Sequence, residues 1–172
     1  VIREQVEQTG MQEAGLNREQ DPVTGRWLLY RRGYFTADSQ TRYSFRQYLQ
    51  WDRDARRETM QYRPTQMANY PIQGESFLVM AVAAGRIIRW LIQKDFYDGR
   101  VAFINNVHDA VYLDVHKDVL KEVGEHVKAI MESTPSYMDE VLGTSIGHVA
   151  FPAEVTYGRS MQEEIPLKEF NQ

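Results

Sequence analysis

His108 and Asp109 are the residues whose types and position most suggest chemistry. They lie between two β-rich apolar runs in INNVHDAVYLDVH, residues 104–116, where a tight hairpin normally carries Asn-Gly or Asp-Gly. A carboxylate at the rim of an apolar hairpin is costly to desolvate unless a cation or hydrogen bonds compensate it. A divalent metal would do so, and hard Mg²⁺ prefers carboxylate oxygens with phosphate oxygens as co-ligands. The plainer alternative is a solvated turn aspartate with His108 on the surface, and local chemistry on its own favours it.

The flanking segments define what must position this pair. Strands are expected near residues 101–107 and 110–115. Upstream, Asn69-Tyr70-Pro71 is expected to break the chain, and QGESFLVMAVAAGRIIRWLIQK then reads as a helix to Lys94. Phe77, Leu78, Val79, Met80, Val82, Ile87, Ile88, Leu91 and Ile92 make it apolar nearly all round, the mark of a helix buried on most sides. Downstream, Val119, Leu120, Val123, Val127, Ile130 and Met131 recur at helical spacing opposite Lys121, Glu122, Glu125, Lys128 and Glu132, and Thr134-Pro135 is expected to end that helix. A last strand is expected over residues 150–157, followed by a polar tail after Met161. The sum is α+β: an antiparallel sheet covered on one face by long helices.

The first third of the chain differs in kind. Residues 1–12 look helical, with Ile2, Val6 and Met11 as a thin apolar stripe, and residues 15–24 read as a linker. Residues 26–45 read as strands or irregular hairpin, and residues 47–61 as a polar helix or exposed arm. Residues 26–63 hold nine arginines, no lysine and four acids (Asp38, Asp52, Asp54, Glu58), a surplus of five positive charges in a chain of net charge −4. Trp27, Tyr30, Tyr34, Phe35, Tyr43, Phe45, Tyr48, Trp51 and Tyr62 are interleaved with them. Arginine among aromatics suits phosphate contacts with stacking on bases; the alternative is a solvated Arg-rich face over a small aromatic core. The chain is expected to divide into residues 1–68, a helix and an Arg/aromatic-rich segment for which DNA contact is one of these two readings, and residues 69–172, which carry the hairpin.

The 172 residues contain no cysteine, which excludes disulfides and thiolate metal sites. A hydrophobic fraction of 42% with 26% charge is that of a globular chain. No secretory leader opens the sequence, and the most apolar window, residues 77–92, contains Gly85, Arg86 and Arg89 and is short for a membrane span. The expectation is a protein without a membrane partner, in the cytoplasm (the host cytoplasm if a phage encodes it). Its first residue is Val, consistent with trimming or with a piece of a longer chain.

Three motifs in order carry a family resemblance. VHDA between apolar strands resembles the third palm motif of family A DNA polymerases, the relatives of bacterial DNA polymerase I and of phage replicative polymerases. NYPIQG opening an apolar helix is similar to the Asn-x-Pro-x-Gln-Gly that begins a palm helix there. The run VYLDVHKDVLKEVGEHVKAIMES with FPAEVTYG after it continues the likeness, which covers residues 69–159 well and residues 1–68 loosely. The resemblance implies template-directed DNA synthesis on primer–template DNA from dNTPs, with two Mg²⁺ ions. It implies Asp109 as a metal-holding catalytic residue, His108 beside the primer terminus, and Asn69 and Gln73 as DNA contacts. Gly74 would allow close backbone approach. Arg42, Arg46, Arg56, Arg57 and Arg63 are candidate DNA-binding residues from the basic segment.

Departures from the family pattern are informative. Ala110 stands where the family has Glu, and Thr65 and Gln66 occupy the region of a basic residue, with Arg63 nearest. The first palm motif and the fingers helix with its Lys and Tyr are missing. Ala37-Asp38-Ser39-Gln40 is a superficial likeness to the first motif, and Asp38 reads as a loop residue. One aspartate does not hold two metals, so the chain is expected to be half of an active site, a fragment or split-polymerase subunit completed by a second polypeptide segment. Two alternatives are a single-subunit RNA polymerase palm, which Ala110 suits, and a non-catalytic DNA-binding structural subunit.

Overall fold

A computed structural model describes residues 1–12, 16–160 and 162–170. Helices are combined with antiparallel strand pairs throughout, an α+β architecture. The chain divides into two units, residues 1–75 and 76–172.

In the first unit, helix α1 (Ile2–Gln12) buries Val6 completely. It seats on strand β3 (Arg32–Thr36) so closely that a Cβ on Gly33 would lie 2.0 Å from the Val6 carbonyl oxygen. Strands β1 (Asn17–Gln20) and β2 (Trp27–Tyr30) pair antiparallel. The expected linker therefore carries a strand, although Gly15 lies outside the described residues. The Asp21 carboxylate drives the reversal by accepting from the Val23 N–H and the Thr24 hydroxyl. Strand β3 joins β4 (Arg42–Asp52) and β5 (Arg57–Tyr62) in a three-stranded sheet. Residues 47–61 are thus neither helix nor arm. The Asp52 carboxylate accepts the N–H groups of Asp54 and Ala55, which folds the strand back on itself. Tyr43 and Phe45 point to one face and form a core with Val6, Tyr62 and Met67.

Helix α2 (Pro64–Gln93) starts five residues before Asn69 and runs straight through Asn69-Tyr70-Pro71. The expected break is absent. An interior proline costs a helix about 3 kcal/mol through its lost N–H and a clash with the preceding turn, but tertiary packing overrides that preference here. Pro71 is buried, and the neighbouring Tyr70 ring meets Tyr43 and Phe45 edge-on at 5.4 and 5.9 Å. The helix is also less buried than its composition suggests. Met67, Val79, Ala83, Ala84, Ile87 and Leu91 are buried, while Ile72, Phe77 and Ile92 are 65%, 69% and 59% exposed.

In the second unit, α2 gives way to a short turn, α3 (Phe96–Gly99), and then to strands β6 (Val101–Val107) and β7 (Ala110–Val115). Both strands have the bounds expected from the sequence. The turn at Asp98-Gly99 is more extreme than expected: Asp95, Phe96, Tyr97 and Asp98 all have positive φ, from 48° to 58°. A left-handed conformation costs about 1–2 kcal/mol per side-chain-bearing residue. Packing offsets it, since Phe96 and Tyr97 lie against the core and the Tyr97 hydroxyl donates to Glu122 at 2.7 Å.

Helix α4 (Leu120–Leu142) continues past Thr134-Pro135, where a stop is expected. Arg86 from α2 braces the turn before the proline. Its guanidinium donates to the Ile130 carbonyl and the Thr134 hydroxyl, both at 2.9 Å, beside the gap that Pro135 leaves in the helix. Burial lowers the Arg86 pKa, and the Tyr137 ring lies under its guanidinium at 4.5 Å. The helix ends instead at Gly143, left-handed at φ 69°. The Asp139 carboxylate then gathers the loop by accepting from the Thr144 hydroxyl and the N–H groups of Ile146 and Gly147. The strand expected over residues 150–157 shrinks to β8 (Thr156–Tyr157), paired with β9 (Ile165–Pro166). It does not join the hairpin, which remains a two-stranded sheet.

Candidate functional site

The hairpin is anchored at its base and bare at its tip. Val101, Phe103, Val111, Leu113 and Val115 pack with Ile87 and Leu91 of α2 and with Val123, Val127 and Ile130 of α4. Between Phe103 and Asn105 the register skips one residue, Ile104. Such a bulge bends the strand and re-aims the residues beyond it. Val107 pairs with Ala110, leaving His108 and Asp109 as a two-residue connection. His108 has φ +54°, a conformation usually left to Gly or Asn, and both side chains are exposed. Below the tip, the Asn105 side-chain oxygen accepts the Asn106 N–H at 2.8 Å, and Asn106 Oδ1 is buried without a hydrogen-bond partner.

Chemically, the tip offers one carboxylate and one imidazole. Among the described residues, no three of His, Asp and Glu gather where they could hold a metal ion. Mg²⁺ requires a near-octahedral oxygen shell, and this pair alone does not fit the expected two-ion site.

Three other sequence candidates come together in the first unit. Arg63, Asn69 and Gln73 line one groove of about 810 Å³, with Gln50, Thr65 and Tyr70 among the other lining residues. Asn69 and Gln73 are four apart on α2 and so share a face. Asn69 is interior to the helix rather than a cap, and Gln73 lies beyond the first turn. Arg63 lies over the Tyr48 ring at 3.9 Å, which fixes its planar guanidinium at the groove's edge. Carboxamides and a guanidinium make this a surface of directed donors and acceptors, suited to binding rather than to nucleophilic chemistry.

Gly74 has a role the sequence does not reveal. A Cβ there would stand 2.3 Å from the Tyr43 ring, so the close approach is to this protein's own tyrosine. Tyr43 and Ser39 both donate to Glu75 Oε1, at 2.7 and 2.9 Å. Burial, then the Glu75 hydrogen bond, raises the Tyr43 pKa. Asp38 lies in the turn before β4, where Gln40 N–H donates to the Ala37 carbonyl.

The remaining arginines are dispersed in the same unit. Arg42 and Arg46 lie along β4, Arg57 opens β5 opposite Asp52, and Arg56 sits in the turn with φ 50°. Gln50 and Tyr48 are functional candidates that sequence reasoning missed. Once β4 is known to extend to Asp52, strand alternation puts both on the same face as Arg46.

No helix among the described residues is long and apolar enough to cross a membrane. No protein family, curated protein or solved structure matches this chain significantly.

Proposed function

We propose that this chain is the C-terminal palm part of a family A DNA polymerase, working in template-directed transfer of nucleotides from dNTPs to a primer 3′-hydroxyl. The supporting observation is the coincidence of motif and geometry at the tip. The one His-Asp pair of the resemblance is also the two-residue connection of a hairpin whose base is fixed in the core. In this reading Asp109 contributes one metal-holding carboxylate and His108 contacts the primer end. Arg63, Asn69 and Gln73 contact primer–template DNA, an assignment supported by their shared groove.

A second polypeptide segment supplies the other carboxylate, the rest of the shell for two Mg²⁺ ions and the fingers. The proposed setting is cytoplasmic.

The test is primer extension by this chain assembled with a segment carrying an Asp-x-Ser-x-x-Glu motif and a Lys-bearing fingers helix. Extension with dNTPs that is lost in Asp109→Ala supports the reading. Undiminished incorporation by that variant overturns it. Extension with NTPs alone would instead favour an RNA polymerase palm, the reading that Ala110 suits. DNA binding without any dependence of synthesis on this chain would favour a structural subunit.

A further inference from the structure

The connection from α2 to the hairpin is strained well beyond what ending a helix requires. One left-handed glycine suffices for that, and Gly99 supplies it at φ 77°. Here Asp95, Phe96, Tyr97 and Asp98 are left-handed as well, and each carries a side chain that disfavours the conformation. Two clamps hold them. Arg100 folds back so that its Nε donates to the Tyr97 carbonyl at 2.8 Å, and its guanidinium lies 3.6 Å from the Asp98 carboxylate. Tyr97 reaches across to α4, where its hydroxyl donates to Glu122 Oε1 at 2.7 Å, and its ring meets Trp90 edge-on at 5.8 Å. Glu122 is exposed, so this second clamp is open to solvent.

We infer that this turn is a strained hinge, latched by Tyr97 and Glu122, that sets the aim of the hairpin. The hairpin leaves the turn without slack. The Arg100 carbonyl accepts the His116 N–H at 2.8 Å, and the next residue, Val101, is buried. The exit of the turn is therefore bonded to the end of the hairpin, and both strands follow its direction out to His108 and Asp109. Strain gathered in one short connection is characteristic of switch elements, and here the latch decides between two settings. Latched, the left-handed residues are held against α4. Released, residues 95–98 relax toward right-handed backbone and the hairpin turns about Arg100. Phe103, Val111 and Leu113 must then lift from the core, which keeps the released setting a minor population. Tyr97 and Glu122 are thus positioning residues for the tip. This holds whatever chemistry the tip performs, because it concerns only where the tip points.

The experiment is native-state amide hydrogen exchange of the full chain, resolved by residue. Tyr97→Phe and Glu122→Ala should each speed exchange at Asp95, Asp98, Arg100 and His116 by about tenfold, the effect of one hydrogen bond to a charged group. Val127 and Ile130 in α4 should keep their protection. Glu122→Gln should retain most of the protection at the turn, because its amide oxygen still accepts from Tyr97. Asp95→Gly should slow exchange at the turn severalfold, alone and combined with Tyr97→Phe, because glycine accepts the left-handed backbone. The chain has no cysteine, so Val111→Cys introduces a single thiol on the core side of the hairpin. Its rate of labelling by a soluble thiol reagent should rise with Tyr97→Phe by a similar factor. Unchanged exchange in Tyr97→Phe, equal acceleration at Val127 and Ile130, or Glu122→Gln as disruptive as Glu122→Ala would overturn the inference. So would faster exchange in Asp95→Gly, or a turn that opens while thiol labelling stays constant.

Discussion

The first unit holds its candidate binding groups by direct side-chain contacts, and the second holds its candidate catalytic groups at a distance, through a hairpin whose base is packed in the core. Arg63, Arg42 and Arg46 each lie over a tyrosine, and the helix bearing Asn69 and Gln73 is locked to the sheet by Tyr43 through Gly74 and Glu75. His108 and Asp109 stand exposed at a connection whose position is set by Val101, Phe103 and Leu113 farther down the strands. A recognition surface benefits from rigid, pre-stacked groups because less freedom is lost on binding. A catalytic carboxylate that shares its work with another segment has to remain accessible to it. The two regions should therefore respond oppositely to substitution.

The largest effect is expected at the tip, on activity alone. On the polymerase reading proposed above, Asp109→Ala should lower incorporation by about a thousandfold, equivalent to about 4 kcal/mol of transition-state stabilisation. Its thermal midpoint should be unchanged, as for most exposed substitutions. Calorimetry showing a clear loss of stability would erase the contrast.

Gly74→Ala should behave in the opposite way. Forcing a methyl against Tyr43 is an overpacking change costing about 1–3 kcal/mol, readable in a urea melt, and on the proposed reading of the groove DNA binding should weaken with it. An unperturbed melt would mean that Tyr43 moves freely and that the groove is not locked. In the same melt, Arg86→Met should cost about 2 kcal/mol by stripping charged hydrogen bonds from the α4 turn at Pro135.

Two smaller effects sharpen the picture of the second unit. The Thr144 hydroxyl, aided by the N–H groups of Ile146 and Gly147, holds the Asp139 pKa below its ordinary value. A depressed carboxylate stabilises the fold above its unfolded pKa near 4, and that stabilisation is lost as pH falls through the lower folded value. Asp139→Asn should thus be less stable than the wild type at pH 7, with the difference closing below about pH 4. Asp95→Gly should stabilise by about 1 kcal/mol or slightly less, because glycine adopts positive φ without the left-handed penalty. Destabilisation in a thermal melt would contradict the strain assigned to this turn.

The hairpin was legible in the sequence because two apolar runs flank a pair that cannot belong to either. The beginning of α4 was legible from its stripe. Its end was not, since the contacts made around Pro135 are tertiary: the Arg86 guanidinium that bonds Thr134 comes from 48 residues away. The same limit hid β5: Gln47, Gln50 and Gln61 are polar, and only the cross-strand register shows which side of the sheet each serves. Asn69 and Gln73 stood out in the sequence, but the break placed at Asn69-Tyr70-Pro71 obscured how they lie. Gln50 and Tyr48 belonged to no motif, and only folding brings them to the groove and to Arg63.

The left-handed turn at residues 95–98 bears on how this protein can be cut and expressed. Nothing local favours four consecutive side-chain-bearing residues with positive φ, so the conformation depends on the core that Phe96 and Tyr97 enter. That core includes Val119, Val123, Val127 and Ile130, which come after the hairpin in the chain. During synthesis the His108-Asp109 tip would emerge before the residues that orient it. A shortened version ending before α4 would keep every residue of the motif and lose its aim.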